Sequence, residues 1–280
     1  MFRKVLLFRN LIDNIPKNVG LYSVGVILLF LFHVRIGLLQ LLLGLVSFLV
    51  SYSSTYILND IYDAEVDKKD DRKVLRKPLA QGAIKRNEAM KIFWGFLTLG
   101  LLLSIPLNPF FFCTVSSLVL INFIYSFPLA RFRNQSKEGL HVEGLKQTIL
   151  GPFLILLMQV LKIFLPWTIS SEMIEFPVLF AVGFSLLYVI IFRGYKEYLT
   201  IGQSFKQAPF SFGIAVTLLI LSANLYPEPL VQSLIFIYIL VGVLFFRNSH
   251  LTDRRVLILS PIYILLGIFF IFYLMTNLLV

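Results

Sequence analysis

The segment Asn59-Asp60-Ile61-Tyr62-Asp63-Ala64-Glu65-Val66-Asp67 holds three aspartates at spacings that a helix would bring together. At about 100° per residue, positions 60, 63 and 67 fall at roughly 0°, 300° and 340° on the helical wheel, all on one face. Three carboxylates so close repel one another unless a cation sits among them. Hard divalent cations prefer oxygen ligands, and Mg²⁺ takes one or two carboxylates together with the oxygens of a bound phosphate. Asn59 can add a carbonyl ligand or orient a neighbour. Glu65 points to the other side and reads as a solvated partner for nearby lysines. The blander reading is an acidic loop that balances Lys68, Lys69, Arg72 and Lys73, and the facing of the three aspartates argues against it. Just downstream, Arg76-Lys77-Pro78-Leu79-Ala80-Gln81-Gly82 sets two cations before a turn, where they either contact phosphate or serve as ordinary loop charge.

Such a cluster needs elements to hold it, and the chain supplies long apolar ones. Of 280 residues, 58% are hydrophobic and 14% charged, and the mean hydropathy is +0.85. A soluble domain of this size would need far more polar surface. A bilayer span takes roughly 20 apolar residues and must satisfy its backbone internally, which a helix does. The windows 18–34, 37–58, 88–107, 109–128, 145–166, 174–193, 207–224, 230–246 and 256–278 meet this demand. Pro106 and Pro109 favour a break between the third and fourth. The expected fold is therefore an all-α, polytopic membrane bundle of about nine transmembrane helices, forming one domain over residues 1–280. Residues 1–17 mix Arg3, Lys4, Arg9 and Lys17 with apolar side chains, as an interfacial amphipathic helix does.

The formal net charge of +10 could suggest nucleic acid. Position decides otherwise. Four Lys and Arg precede the first window, nine lie from Lys68 to Lys91, four from Arg131 to Lys146, three between windows 6 and 7, and three between windows 8 and 9. Twenty-three of 25 thus fall on one side, leaving Arg35 and Lys162 toward the other. This is the positive-inside pattern, with the N-terminus cytoplasmic and the C-terminus outside. Membrane lipid is the expected partner and nucleic acid is not. The protein is expected to be multi-pass in a prokaryotic cell membrane. Cys113 stands alone in an apolar run and forms no internal disulfide.

These residues resemble the UbiA superfamily of intramembrane prenyltransferases. Asn59 to Asp67 is similar to that family's first aspartate-rich motif, N-D-x-x-D-x-x-x-D, placed after the second helix. Arg76 to Gly82 looks like the family's (R)-x-P-L-x-x-G segment, and Tyr125 to Arg133 resembles its Y-S-x-P-L-x-x-x-R segment after the fourth helix. The resemblance implies that Asp60, Asp63 and Asp67 coordinate Mg²⁺ bridging a diphosphate, with Asn59 beside them. It also implies that Lys77, Arg131, Arg133 and Lys146 contact phosphate oxygens. Tyr125 and Asn122 would face the cavity or form an interhelical hydrogen bond. The substrates implied are an isoprenoid phosphate or diphosphate and an acceptor.

One segment departs from the family pattern. Most members carry a second aspartate-rich motif between helices 6 and 7, where this chain reads Arg193-Gly194-Tyr195-Lys196-Glu197-Tyr198. That resembles the decaprenyl-phosphate phosphoribosyltransferase subgroup, in which a polyprenyl phosphate meets phosphoribosyl diphosphate. Arg193 and Tyr195 would then bind substrate and Glu197 would assist catalysis, although Gly194 breaks the subgroup's second basic position. A transporter would carry its ionisable groups near the bilayer midplane; here they gather at one face. A scaffold that has lost catalysis is the remaining reading, and the intact first motif argues against it.

Overall fold

The computed structural model describes residues 2–68, 74, 77–126, 132–136, 139–143, 150–170, 176–201 and 208–225. Seven α-helices carry this part of the chain. They are α1 (Phe2–Leu31), α2 (Leu38–Asp67), α3 (Arg86–Ser104), α4 (Pro109–Ser126), α5 (Leu150–Phe164), α6 (Val178–Ile201) and α7 (Ala208–Leu225). They match the first seven apolar windows, and the last two windows lie outside the described residues. Among the described residues, three stretches are long and apolar enough to cross a membrane, Leu38–Glu65, Pro109–Ser126 and Leu150–Ile169. Shorter apolar helical stretches run over Asn14–Phe30, Val178–Val189 and Gly213–Ser222.

The helix ends follow local chemistry. Helix α1 runs unbroken through Pro16. It stops where His33 turns into the left-handed region at φ 56°. There the Val34 N–H donates to Leu29 O and the His33 N–H to Phe30 O, both at 2.9 Å. This double bond pattern satisfies orphan carbonyls at a helix C-terminus, usually with glycine where His33 stands. The break between α3 and α4 falls at the expected place. Asn108 caps α4 by accepting the Phe111 N–H at 2.8 Å, with Pro109 at the first helical position, where no N–H is required. The Asn108 side chain also donates to Thr168 O at 2.6 Å and Ile169 O at 3.0 Å. It thereby ties α4 to the 3-10 turn Leu165–Ile169 that ends α5.

Helix α2 is the axis of the structure. Its 30 residues span about 45 Å at 1.5 Å each, well beyond the hydrocarbon thickness of about 30 Å. The expected loop from residue 59 is thus helical up to Asp67, and the acidic segment forms the helix's projecting end. Serines and a glycine let α3 approach closely. Ser47 Oγ donates to Gly100 O at 2.8 Å, and a Cβ on Gly100 would run into Ser51, the small-residue contact typical of membrane helices. The main core joins Leu21, Phe48, Phe111, Leu118, Ile163 and Leu187 from five helices. Leu39, Phe110, Trp94 and Leu102 are exposed on the outside, as lipid-facing side chains are.

Two features differ from the sequence expectation. Phe132–Ser136 (β1) and Gly139–Glu143 (β2) pair antiparallel, with Phe132 opposite Glu143. The helical bundle therefore carries one small strand pair in the connection after α4. Helix α6 also continues to Ile201, so residues 194–201 are helical where a loop was expected.

Candidate functional site

The acidic end of α2 is covered by the chain that follows it. Residues 77–84 fold into a compact turn in which the Ala83 N–H donates to Pro78 O at 2.8 Å and the Gln81 N–H to Lys77 O at 3.1 Å. Gly82 lies at φ +68°, a backbone setting that suits glycine. Leu79 and Ile84 from this turn pack with Ile57, Leu58 and Ile61 of α2 and Ala89 and Phe93 of α3. That apolar contact fixes Lys77 against the aspartates.

The Lys77 ammonium lies 2.9 Å from Asp60 Oδ1 and 2.6 Å from Asp67 Oδ2. Both carboxylates are buried, at 8% and 3% exposure, so their charges are little screened by water. Burial of Lys77 works against its charge, but Asp60 and Asp67 outweigh that effect and hold its pKa above the ordinary lysine value. The pairing therefore persists through neutral pH. On the alkaline side it is lost as pH rises through that raised value.

Each aspartate stands differently. Asp63 is partly buried one turn from Asp60 and Asp67. Glu65 is exposed and pairs with Lys68 at 2.7 Å, the solvated role expected of it. Among the described residues no three acidic, histidine or cysteine side chains gather around one point. Two do: Asp60 and Asp67 present oxygens to a single cation position. Two carboxylates plus substrate oxygens is a donor set that suits Mg²⁺, so the residues present fit the ion.

The other expected site residues are spread along the chain. Asn59 lies in the last turns of α2 beside Asp60. Arg133 lies on β1, and Arg193, Tyr195 and Glu197 lie on α6. Arg131 and Lys146 lie outside the described residues. Tyr125 is half-buried against the main core. Asn122 makes the interhelical hydrogen bond that was one of its two expected roles, donating to Tyr52 Oη at 3.1 Å.

A polar network deeper in the bundle was not anticipated. Lys162 is fully buried, donates to Asn18 Oδ1 at 3.2 Å and Gln159 Oε1 at 3.4 Å, and sits 4.1 Å from the centre of the Tyr52 ring. Asn18 in turn donates to Tyr56 Oη at 3.1 Å. The charge pattern along the chain sets Lys162 toward the outer side and says nothing of its burial. The signal that could have found the network was the coincidence of Asn18, Gln159 and Lys162 inside otherwise apolar windows. Tyr52, Tyr56 and Asp60 follow at four-residue intervals on α2, so one polar stripe joins this network to the acidic end.

The described part is thus a bundle of apolar helices with Asp60 and Asp67 gathered at one projecting helix end. Comparison with known proteins shows what this chain is similar to. Residues 20–137 match the UbiA prenyltransferase family. A UbiA homologue from Archaeoglobus fulgidus bound to GPP and Mg²⁺ has a similar fold, with 19% identity, TM-score 0.71, and coverage of 96% of this chain and 99% of that one. The same homologue bound to DMAPP and Mg²⁺ aligns with TM-score 0.66 at 19% identity, covering 95% and 98%. A digeranylgeranylglyceryl phosphate synthase structure aligns with TM-score 0.60 at 19% identity, covering 95% of both chains. No curated protein matches the sequence. The family model matches residues 20–137, and the fold is similar to that of the UbiA homologue over nearly the whole chain.

Proposed function

We propose that this chain is a Mg²⁺-dependent integral membrane prenyltransferase of UbiA type. The observation that carries the reading is the convergence of Asp60 and Asp67, both buried, on one cation position at the end of a membrane-length helix. The similar fold of homologues bound to GPP or DMAPP with Mg²⁺ supports it. Asp60 and Asp67 would hold the metal, with Asp63 and Asn59 beside them. Bound there, Mg²⁺ would withdraw charge from a diphosphate leaving group. The chain's cations, Lys77 first and then Arg131, Arg133, Lys146 and Arg193, would pair with phosphate oxygens and stabilise the charge that grows there. The allylic C–O bond breaks and its electron pair leaves with diphosphate. The acceptor's nucleophile then bonds to C1 and gives up its proton. The apolar bundle would hold the isoprenoid tail.

The segment Arg193-Gly194-Tyr195-Lys196-Glu197 on α6 has no aspartate, which favours a second reading. There a Mg²⁺ ion held by the same carboxylates would grip phosphoribosyl diphosphate, and a polyprenyl phosphate attacks the anomeric carbon. Diphosphate leaves in both cases. Purified protein with Mg²⁺ and geranyl diphosphate plus an aromatic acceptor is expected to release diphosphate and to stop when the metal is chelated. Release only from phosphoribosyl diphosphate plus polyprenyl phosphate would select the second reading. No release from either pair would remove both.

We further propose nine spans in a prokaryotic cell membrane, with the basic loops and the acidic end of α2 on the cytoplasmic side. A reporter fused after Val280 is expected on the outer side. A cytoplasmic signal would rule out an odd number of spans.

A further inference from the structure

We propose that Lys77 makes cation binding and diphosphate binding at this site depend on each other. The inference rests on the reading that Asp60 and Asp67 hold a divalent ion. Their two oxygens stand 2.9 and 2.6 Å from the Lys77 ammonium, whereas Mg²⁺–oxygen bonds are about 2.0–2.1 Å. A divalent ion centred on the same point would draw each oxygen in by less than about 1 Å. Ion and ammonium thus compete for one position between two buried carboxylates.

Lys77 cannot go far once displaced. Its backbone opens the turn that Leu79 and Ile84 anchor on Ile57, Leu58 and Ile61, so only the flexible four-carbon stem can swing. A divalent ion arriving alone therefore leaves a confined, partly buried ammonium stripped of both carboxylates, and that repulsion and lost pairing oppose it. An ion arriving with a diphosphate brings the ammonium a new anionic partner within the same reach. The ammonium passes from carboxylate to phosphate and the penalty falls away. By linkage, diphosphate then tightens the ion and the ion tightens diphosphate by the same factor. The site is selective for the metal–diphosphate pair over either free ion, and Lys77 sets that selectivity as a positioning residue.

The test measures Mn²⁺ binding to the detergent-purified full chain, by the electron-spin signal of the free ion, with and without inorganic pyrophosphate. Both proteins are read in identical solutions, so complexation of Mn²⁺ by pyrophosphate is common to them. Wild type is expected to bind Mn²⁺ at least about 10-fold more tightly when pyrophosphate is present, within the usual range of coupling between sites. Lys77→Met is expected to bind Mn²⁺ alone more tightly than wild type does, and to lose most of the pyrophosphate enhancement. Lys77→Arg, which keeps the charge, is expected to keep the enhancement. If Lys77→Met does not yield folded protein, Lys77→Gln reads the same two quantities. Mn²⁺ binding that responds to pyrophosphate equally in wild type and Lys77→Met would overturn this inference and leave the metal assignment standing. No Mn²⁺ binding by any of these proteins in either condition would overturn both.

Discussion

Asp60→Ala is expected to lower diphosphate release by at least about 100-fold, the scale seen when one preorganised charge-stabilising group is removed from an active site, while the protein stays folded. The two halves of that expectation have separate causes. Loss of activity follows because Asp60 supplies one of the two carboxylates that, among the described residues, meet at the cation position, and Asp67 alone would present half of that negative charge. Retention of the fold follows because this end of the molecule is held by apolar packing of Leu79 and Ile84 on Ile57, Leu58 and Ile61. Lys77 would also keep Asp67 as its partner, so no buried carboxylate is stranded. Glu65→Ala is the matched control. Glu65 lies outside the convergent pair, and its ion pair to Lys68 is solvent-exposed, so activity should change by less than about twofold. The measurement is initial-rate diphosphate release alongside thermal unfolding in detergent. An Asp60→Ala protein with wild-type turnover would remove Asp60 from the site, and a matching loss in Glu65→Ala would mean general acidity matters rather than convergence.

The reach of the sequence differs between helix faces and contacts made across the bundle. Facing was legible because it depends only on the helical period: positions 60, 63 and 67 fell on one side and Glu65 on the other. The fold pairs Asp60 and Asp67 through Lys77 and leaves Glu65 with Lys68. The split at Asn108-Pro109 was legible too, because a cap residue and a proline are local signals. What the period could not tell was which neighbour supplies a counter-charge. Lys77 is ten residues beyond Asp67, and only the turn anchored by Leu79 and Ile84 brings it back. A lone basic residue in such a loop is indistinguishable, by sequence, from ordinary juxtamembrane charge. The extension of α2 to Asp67 was half visible, since the wheel argument needs a helix there while hydropathy alone ends the span near residue 58. The β1–β2 pair was invisible because its two short segments carry no clear alternation. The burial of Lys162 among α1, α2 and α5 was not legible either. Hydropathy assigns depth by position along a window, and a long side chain carries its amine well away from its own Cα.

Lys162 leads to the second large effect, on stability rather than chemistry. Its side chain has no exposure and links α5 to Asn18 of α1 and the Tyr52 ring of α2. Truncation to alanine removes two kinds of stabilisation, and magnitude ranks them. Hydrogen bonds between membrane helices average about 0.6 kcal/mol and reach about 1.7, so the bond to Asn18 contributes roughly that much, while the bond to Gln159 lies within α5. Emptying a packed site of a side chain this long costs about 2–5 kcal/mol when the surroundings cannot collapse. Here they are rigid, since Gly25 of α1 meets the Ile163 carbonyl and Pro166 so closely that no Cβ would fit between them. Packing therefore contributes more than the hydrogen bonds do. Lys162→Ala should be markedly less heat-stable in detergent, whereas Lys162→Met should lose much less. Met fills most of the volume, keeps a polarisable sulfur near the Tyr52 ring, and removes a charge that no carboxylate among the described residues balances. Equal losses in the two variants would show that the amine's bonds, and not its stem, hold α1, α2 and α5 together. Since Tyr52 and Tyr56 lie on the same stripe of α2 as Asp60, the alanine variant should also loosen the acidic end, and Mn²⁺ affinity should fall in it while staying close to wild type in Lys162→Met.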